Sequence, residues 1–180
     1  CVGCSILITG YFDPGLNVIN AVARQADGGG KDMDEGLALF EIGPIFEPNG
    51  SELPTEISKL AIAMTGQREE TAWDIKASPI MDFYDLKGRI ERLLARFRLT
   101  DVSYTPTDSV PYLHPGKAAE VQVDGKTIGV FGELHPLVKD KYEFEEHPVL
   151  VAEFDLASMR AEESEYELQP VPAVPPVLED

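Results

Sequence analysis

The chain has 180 residues, with 32 acidic and 15 basic side chains, a formal charge of −17, and 43% hydrophobic residues. A chain of this length buries roughly 70% of its unfolded surface as one domain, so folding needs neither disulfide nor metal, and the apolar content excludes a disordered chain. No run of ~20 apolar residues is present to span a membrane as a helix, and a surface this acidic repels phosphates unless a local basic patch overrides the field.

The chain opens at Cys1 without an initiator Met and without the regions of a signal peptide, and reads as a piece of a longer protein. Its two cysteines, Cys1 and Cys4, form a CxxC pair. Zinc needs four ligands and no second CxxC or CxxH follows, so the pair is read as two reduced thiols of a cytosolic protein. Residues 1–13 are expected to be a frayed N-terminal segment. Asp13 and Pro14 then supply an N-cap and a first-turn proline. Leu16, Ile19, Val22 and Ala23 follow at helical spacing, and Gly28-Gly29-Gly30 ends that helix.

Leu37 to Phe46 is apolar on both faces and predicts a buried strand interrupted near Gly43-Pro44. Pro48-Asn49-Gly50 is a turn. Ser58 to Thr65 sets Leu60, Ile62 and Met64 against Lys59, Ala61 and Ala63, the alternation of a half-buried strand. A loop from Gly66 to Pro79 holds the single tryptophan, Trp73. Phe83 to Arg98 is the clearest helix. Asp82 is its N-cap, Asp85 places acid in its first turn, and Phe83, Leu86, Ile90, Leu93, Leu94 and Phe97 form one stripe. Gly88 costs about 1 kcal/mol relative to Ala within a helix, which suggests a close packing contact there. Lys87, Arg89, Arg92, Arg96 and Arg98 occupy the other faces.

Val102 to Thr105 is a short strand. Glu120–Val123 and Lys126–Phe131 flank Asp124-Gly125, a two-residue hairpin signal. Val149–Phe154 is a further strand and Leu156–Glu163 a short helix. From Glu143 to Asp180 there are eleven acidic residues and, apart from His147, one basic residue, Arg160. This stretch reads as a solvated acidic tail, with a partner-docking surface as the alternative. Residues 169–180 are Pro-rich and extended, a linker. Six strands with a hairpin and alternating patterns predict an α+β fold, an antiparallel sheet covered by helices on one face.

All three histidines precede proline, in His114-Pro115, His135-Pro136 and His147-Pro148, which biases them to extended geometry at element ends. No HxxxH or HxH spacing supports a metal site. His135 beside Glu133 could act as a general base; the alternative is a turn in which the imidazole bonds to backbone. His114, Pro115, His135 and Pro136 are therefore expected to form rigid turns that fix where the sheet ends. No phosphate-binding loop, dinucleotide fingerprint or nucleophile elbow is present. The basic helix face could meet RNA through Arg89, Arg92 and Arg96, although no aromatic residues interleave there for base stacking; the alternative is a solvated face or one that pairs with the acidic tail.

Several segments recur in an ordered series. Leu39-Phe40-Glu41-Ile42-Gly43 with Ile45-Phe46 is followed by Leu53-Pro54-x-Glu56, by Gly66 with Trp73, and by Asp82-Phe83-Tyr84-Asp85-Leu86-Lys87-Gly88. Then come Leu113-His114-Pro115-Gly116-x-Ala118-Ala119, Gly129-x-x-Gly132-Glu133-Leu134-His135-Pro136 and Glu153-Phe154-Asp155-Leu156. Taken together over about residues 37–156, this series resembles the catalytic-like module of the bacterial phenylalanine–tRNA ligase beta subunit family. The resemblance implies a class II aminoacyl-tRNA synthetase-like antiparallel sheet flanked by helices, spanning 14–168, with 169–180 leading toward a C-terminal anticodon-binding domain. True class II catalytic domains hold the ATP α-phosphate with a motif-2 arginine and end a Gly-rich motif 3 in arginine. Here Phe40, Glu41, Gly43 and Phe46 occupy the motif-2-like strand without arginine, and 149–163 has no Gly and only Arg160. Adenylyl chemistry needs such cationic clamps, so the resemblance implies a non-catalytic copy.

Its expected partner is the catalytic alpha subunit of a cytoplasmic heterotetramer, with Leu16, Ile19 and Val22 as candidate interface residues. Homo-association of the isolated chain is a further expectation. ATP and magnesium belong to the parent complex rather than to this chain, and tRNA is met only through that complex. The rival reading is a stand-alone class II-like domain that binds a small ligand or tRNA.

Overall fold

The computed structural model describes residues 36–50, 53–69, 72–74, 78–141 and 147–161. Strands β1 (Leu37–Glu47) and β2 (Thr55–Thr65) form an antiparallel hairpin with Leu37 opposite Thr65 and Glu47 opposite Thr55. Helix α1 (Phe83–Arg96) follows, then β3 (Val102–Pro106), β4 (Leu113–Val123), β5 (Lys126–Leu134), the short α2 (Pro136–Lys141), β6 (Leu150–Asp155) and α3 (Leu156–Ala161). The strands make one six-stranded sheet in the order β1-β2-β6-β5-β4-β3, and every neighbouring pair is antiparallel. The described residues thus form the expected α+β fold. The last of the described strands, β6, lies inside the sheet with Leu150, Val151, Ala152 and Phe154 all buried, as a strand apolar on both faces must be covered on both.

Helix α1 shows how local chemistry fixes an element. The Asp82 carboxylate accepts from the N–H groups of Tyr84 (2.8 Å) and Asp85 (3.2 Å), and Asp85 returns a bond to the Asp82 N–H at 2.8 Å. This capping box satisfies donors that the first turn otherwise leaves open. At the other end Arg98 adopts φ 54°, its N–H donates to Ala95 O, and the Leu99 N–H donates to Leu94 O. That paired arrangement is a Schellman stop. It ends the helix at Arg96, two residues before the expected Arg98. Leu86, Ile90 and Leu94 are buried against the sheet, each contributing about 1.5–3 kcal/mol of apolar burial.

The main core lies on the sheet face covered by α1 and α3. There Leu86, Ile90, Leu94 and Met159 pack on Leu60, Met64, Val121, Phe131, Leu150 and Phe154. The opposite face carries a second, smaller cluster, including Ala61, Ala63, Ala118, Leu134 and Val151, against which Val110, Tyr112 and Val138 of α2 pack. Coverage by helices on one face alone is therefore corrected.

Four further expectations are also corrected. β1 is not a buried, interrupted strand. It runs unbroken along the sheet edge, with alternate residues exposed and Phe40 and Ile42 at 74% and 60% exposure. An edge strand has an open side on which proline forfeits no ladder bond, which is why Pro44 is tolerated. β2 is three residues longer than expected and buried from Leu60 to Thr65, apart from the half-buried Ile62. Gly88 marks no packing contact, since a Cβ built there meets nothing within 4 Å. His114 and Pro115 lie inside β4 rather than at the sheet end. Leu113 pairs with Leu134 and Ala118 with Gly132, so residues 114–117 bulge opposite Glu133 alone. The expected Asp124-Gly125 hairpin joins β4 and β5, with φ 48° and 78° at its two residues, the positive pair of a type I′ turn.

Candidate functional site

Strand β1 contributes to both sheet faces. Cross-strand pairing puts Glu41 and Gly43 on the side of Ala61 and Lys59, and puts Phe40 and Phe46 with Ile62 and Glu56 on the helix-covered side. At the middle of the first side Glu153 of β6 lies opposite Ala61. Its carboxylate takes Lys59 Nζ at 3.5 Å and a bond from the Tyr112 hydroxyl at 3.4 Å. Beside it Glu120 accepts from Thr127 Oγ1 at 3.1 Å and Gln122 Nε2 at 3.3 Å. The cavity at Ala61, Tyr112 and Glu153 measures about 10 Å³, room for one water at most. None of the six strands carries an arginine. Among the described residues this face therefore presents carboxylates and a lysine already tied to one of them.

The His114 and His135 imidazoles bond to backbone. His114 Nδ1 accepts from the Gly116 N–H at 3.0 Å and stabilises the bulge. His135 Nδ1 accepts from the Leu137 N–H at 3.2 Å, its carbonyl accepts from Val138 and Lys139, and Pro136 occupies the first position of α2. Lys139 Nζ reaches the His147 carbonyl at 2.8 Å and ties α2 to the approach of β6. Glu133 pairs with Lys117. Among the described residues no group of three or more His, Cys, Asp or Glu side chains is placed to hold a metal.

Arg89, Arg92 and Arg96 are exposed on α1. Lys87 bonds to Glu91 and sets its ammonium 4.3 Å from the centre of the Tyr104 ring. Burial, and then Glu91, push the Tyr104 phenol above its ordinary value. Leu16, Ile19, Val22, Cys1 and Cys4 lie outside the described residues, as does most of the acidic tail.

Sequence reading missed two features. Arg68, on the connection after β2, grips the N-terminus of α1. Its guanidinium meets Asp85 at 2.7 and 2.9 Å and Asp82 at 3.8 Å. Burial by itself would raise the Asp85 carboxyl, but the bonds from Arg68 and from the Asp82 N–H outweigh it and hold the group below the usual carboxylate range. No short-range spacing signals a pair 17 residues apart. The second feature is a groove of about 510 Å³ between the first turns of α1 and the β3–β4–β5 side of the sheet. Phe83, Tyr84, Lys87, Tyr104, Lys117 and Glu133 line it. They come from four elements, so only the fold brings them together.

Residues 30–156 match the family described as the phenylalanyl tRNA synthetase beta chain CLM domain. The chain belongs to this family. A phenylalanine–tRNA ligase beta subunit of Carboxydothermus hydrogenoformans is 40% identical over 145 residues, covering 79% of this chain and 18% of that protein. The beta subunit of Symbiobacterium thermophilum is 38% identical over 146 residues, or 80% of this chain and 16% of its own. That of Streptococcus agalactiae is 36% identical over 129 residues, or 70% and 16%. The chain spans less than a fifth of the length of these relatives. As a CLM-domain chain, its family match runs through all six strands and stops at Leu156, the first residue of α3. The arginine-free sheet face and the bulge at His114–Lys117 both lie within it.

Proposed function

We propose that this chain is a non-catalytic module of a phenylalanine–tRNA ligase beta subunit that packs against the catalytic alpha subunit and so supports ATP-dependent attachment of phenylalanine to its tRNA. In this reading the sheet is a class II synthetase-like core spanning 14–168 in a cytoplasmic complex. The β1–β2 hairpin stands where motif 2 would stand, and β6 with α3 stands where motif 3 would stand. The observation that carries the reading is the chemistry of the sheet face around Glu153. Transfer of an adenylyl group develops negative charge that must be met by preorganised cations. On this face Lys59 is already bound to Glu153, arginine is absent from the strands, and the cavity admits no substrate. ATP and magnesium belong to the alpha subunit's reaction, and tRNA is met only in the assembled enzyme.

The exposed apolar row on β1 supports an associating role, since Phe40 and Ile42 lie open on the same face as the main core. Leu16, Ile19 and Val22 are separate candidates for contact with the alpha subunit. The test pairs calorimetric titration of the chain with purified alpha subunit against ATP–pyrophosphate exchange by the chain alone. Saturable binding to the alpha subunit with no exchange activity is expected. Exchange activity from the isolated chain would refute the non-catalytic reading. Failure to bind the alpha subunit would refute the packing role.

A further inference from the structure

Arg89, Arg92 and Arg96 recur along α1 at spacings of three and four, so they form one stripe about 10 Å long. All three are exposed, and none makes a salt bridge or side-chain hydrogen bond among the described residues. Asp85 starts the same row but is already taken by Arg68.

The stripe lies on a definite flank of the helix. Lys87, on the opposite flank, meets the Tyr104 ring of β3, whereas Asp85 meets Arg68, on the connection after β2. The sheet order sets β3 at one edge and β2 with β6 toward the other, so the arginine row is on the β6–β2 side of α1. Helix α3 packs on β2, β5 and β6. The two helices also share one end of the sheet, the end that carries the Asp124-Gly125 turn. Val102, soon after α1, pairs with Val123 there, and Phe154, just before α3, pairs with Gly129. The chain therefore leaves α3 at Ala161 on the flank that carries the stripe, with residues 162–180 still to run.

Those residues carry the complementary charge. Glu162, Glu163, Glu165 and Glu167 fall close together with no basic residue after them. Along an extended chain Glu163, Glu165 and Glu167 share one side and span about 13 Å, which matches the stripe in number, sign and length. Ion pairs this exposed are individually weak, but the tether holds the tail at an effective concentration on the order of millimolar. A free polyanion must instead approach against the field of a chain at −17.

We propose that residues 162–168 dock as an acidic strap along Arg89, Arg92 and Arg96, and that this segment of the chain is the occupant of the outer row of α1. The strap does not rest on the subunit reading.

The test uses the isotope-labelled 180-residue chain with Cys1→Ser, Cys4→Ser and Ser164→Cys, carrying a nitroxide at position 164. Amide signals of 89–96 are expected to broaden in about 20 mM salt and to lose about fivefold of that broadening in about 500 mM, as the screening length falls from roughly 20 Å to about 4 Å. Arg89→Gln, Arg92→Gln and Arg96→Gln together abolish the low-salt broadening. Glu163→Gln, Glu165→Gln and Glu167→Gln together do the same from the other side. No broadening, equal broadening at both salt concentrations, or broadening kept by either triple variant would each overturn the proposal. Broadening of a chain without nitroxide, mixed with a chain that bears it, would assign the stripe to a second copy and overturn the strap. Absent broadening with shifts at 89–96 on adding a uridine oligonucleotide would assign it to RNA and overturn the strap as well. Titration with the alpha subunit is measured separately and decides only the subunit role.

Discussion

Replacing Gly88 and Gly132 by alanine tests the open outer face of α1 and the close approach of β4 to β5, because the structure assigns the two changes opposite signs. At Gly88 an added Cβ meets nothing within 4 Å. The change therefore gains helix propensity and reduces the freedom of the unfolded chain, together about 1 kcal/mol of stabilisation. For a chain of this size that raises Tm by about 2–4 °C. At Gly132 the added Cβ would lie 2.5 Å from the Lys117 carbonyl oxygen and 2.9 Å from Ala118 Cα. Both atoms are backbone of the bulged β4, which cannot move aside as a side-chain end can. Overpacking of this kind costs about 1–3 kcal/mol, so Gly132→Ala lowers Tm by several degrees. Urea unfolding followed by circular dichroism at 222 nm reads both variants, and an unchanged m-value shows that stability alone has moved. A destabilised Gly88→Ala would mean that a neighbour packs on the helix at that point, and would refute the open environment argued here. A tolerated Gly132→Ala would refute the close approach of β4 to β5.

Four further outcomes follow from named residues. Asp82→Ala removes the capping box of α1 and should cost about 1–2 kcal/mol in urea unfolding. Because Arg68 and the Asp82 N–H hold the Asp85 carboxyl below its ordinary value, its contribution is complete above the unfolded carboxylate pKa of about 3.9. It is lost as pH falls through the folded value, so the stability gap between the parent chain and Asp85→Asn should shrink between pH 7 and pH 3; a constant gap would contradict the pairing. Arg98→Gly relieves a non-glycine residue at φ 54° in the helix stop and should stabilise by about 1 kcal/mol, read as a higher urea midpoint. Phe40→Ser with Ile42→Ser, at exposed edge positions, should leave the midpoint within about 0.5 kcal/mol while reducing self-association in sedimentation velocity.

Much of the fold was legible because its signals are local. Asp82 with Asp85, the stripe of Leu86, Ile90 and Leu94, and Asp124-Gly125 act over a few residues, and each produced the element it predicted. The misreadings share one cause, which is that burial depends on neighbours. β1 and β6 are similarly apolar in sequence, yet β1 is an edge with Phe40 exposed and β6 is enclosed between β2 and β5. Gly88 and Gly132 look alike in sequence, but one faces open space and the other faces backbone. The His114-Pro115 pair signalled a turn, and the chain turns there as a bulge inside β4 because the strand resumes pairing at Ala118.

The candidate sites divide in the same way. The absence of arginine from β1 was visible in the sequence, whereas the pairing of Lys59 with Glu153 and the closure of the cavity beside it were not. By itself the sequence determined the limits of α1 to within two residues, the hairpin and the antiparallel class of the sheet, since capping, turn geometry and alternation are set by bonds between near neighbours. Only the tertiary structure decided the strand order, the Arg68 clasp on α1 and the groove between Tyr84 and Lys117, because each joins residues that chain-local physics leaves independent until the core brings them together.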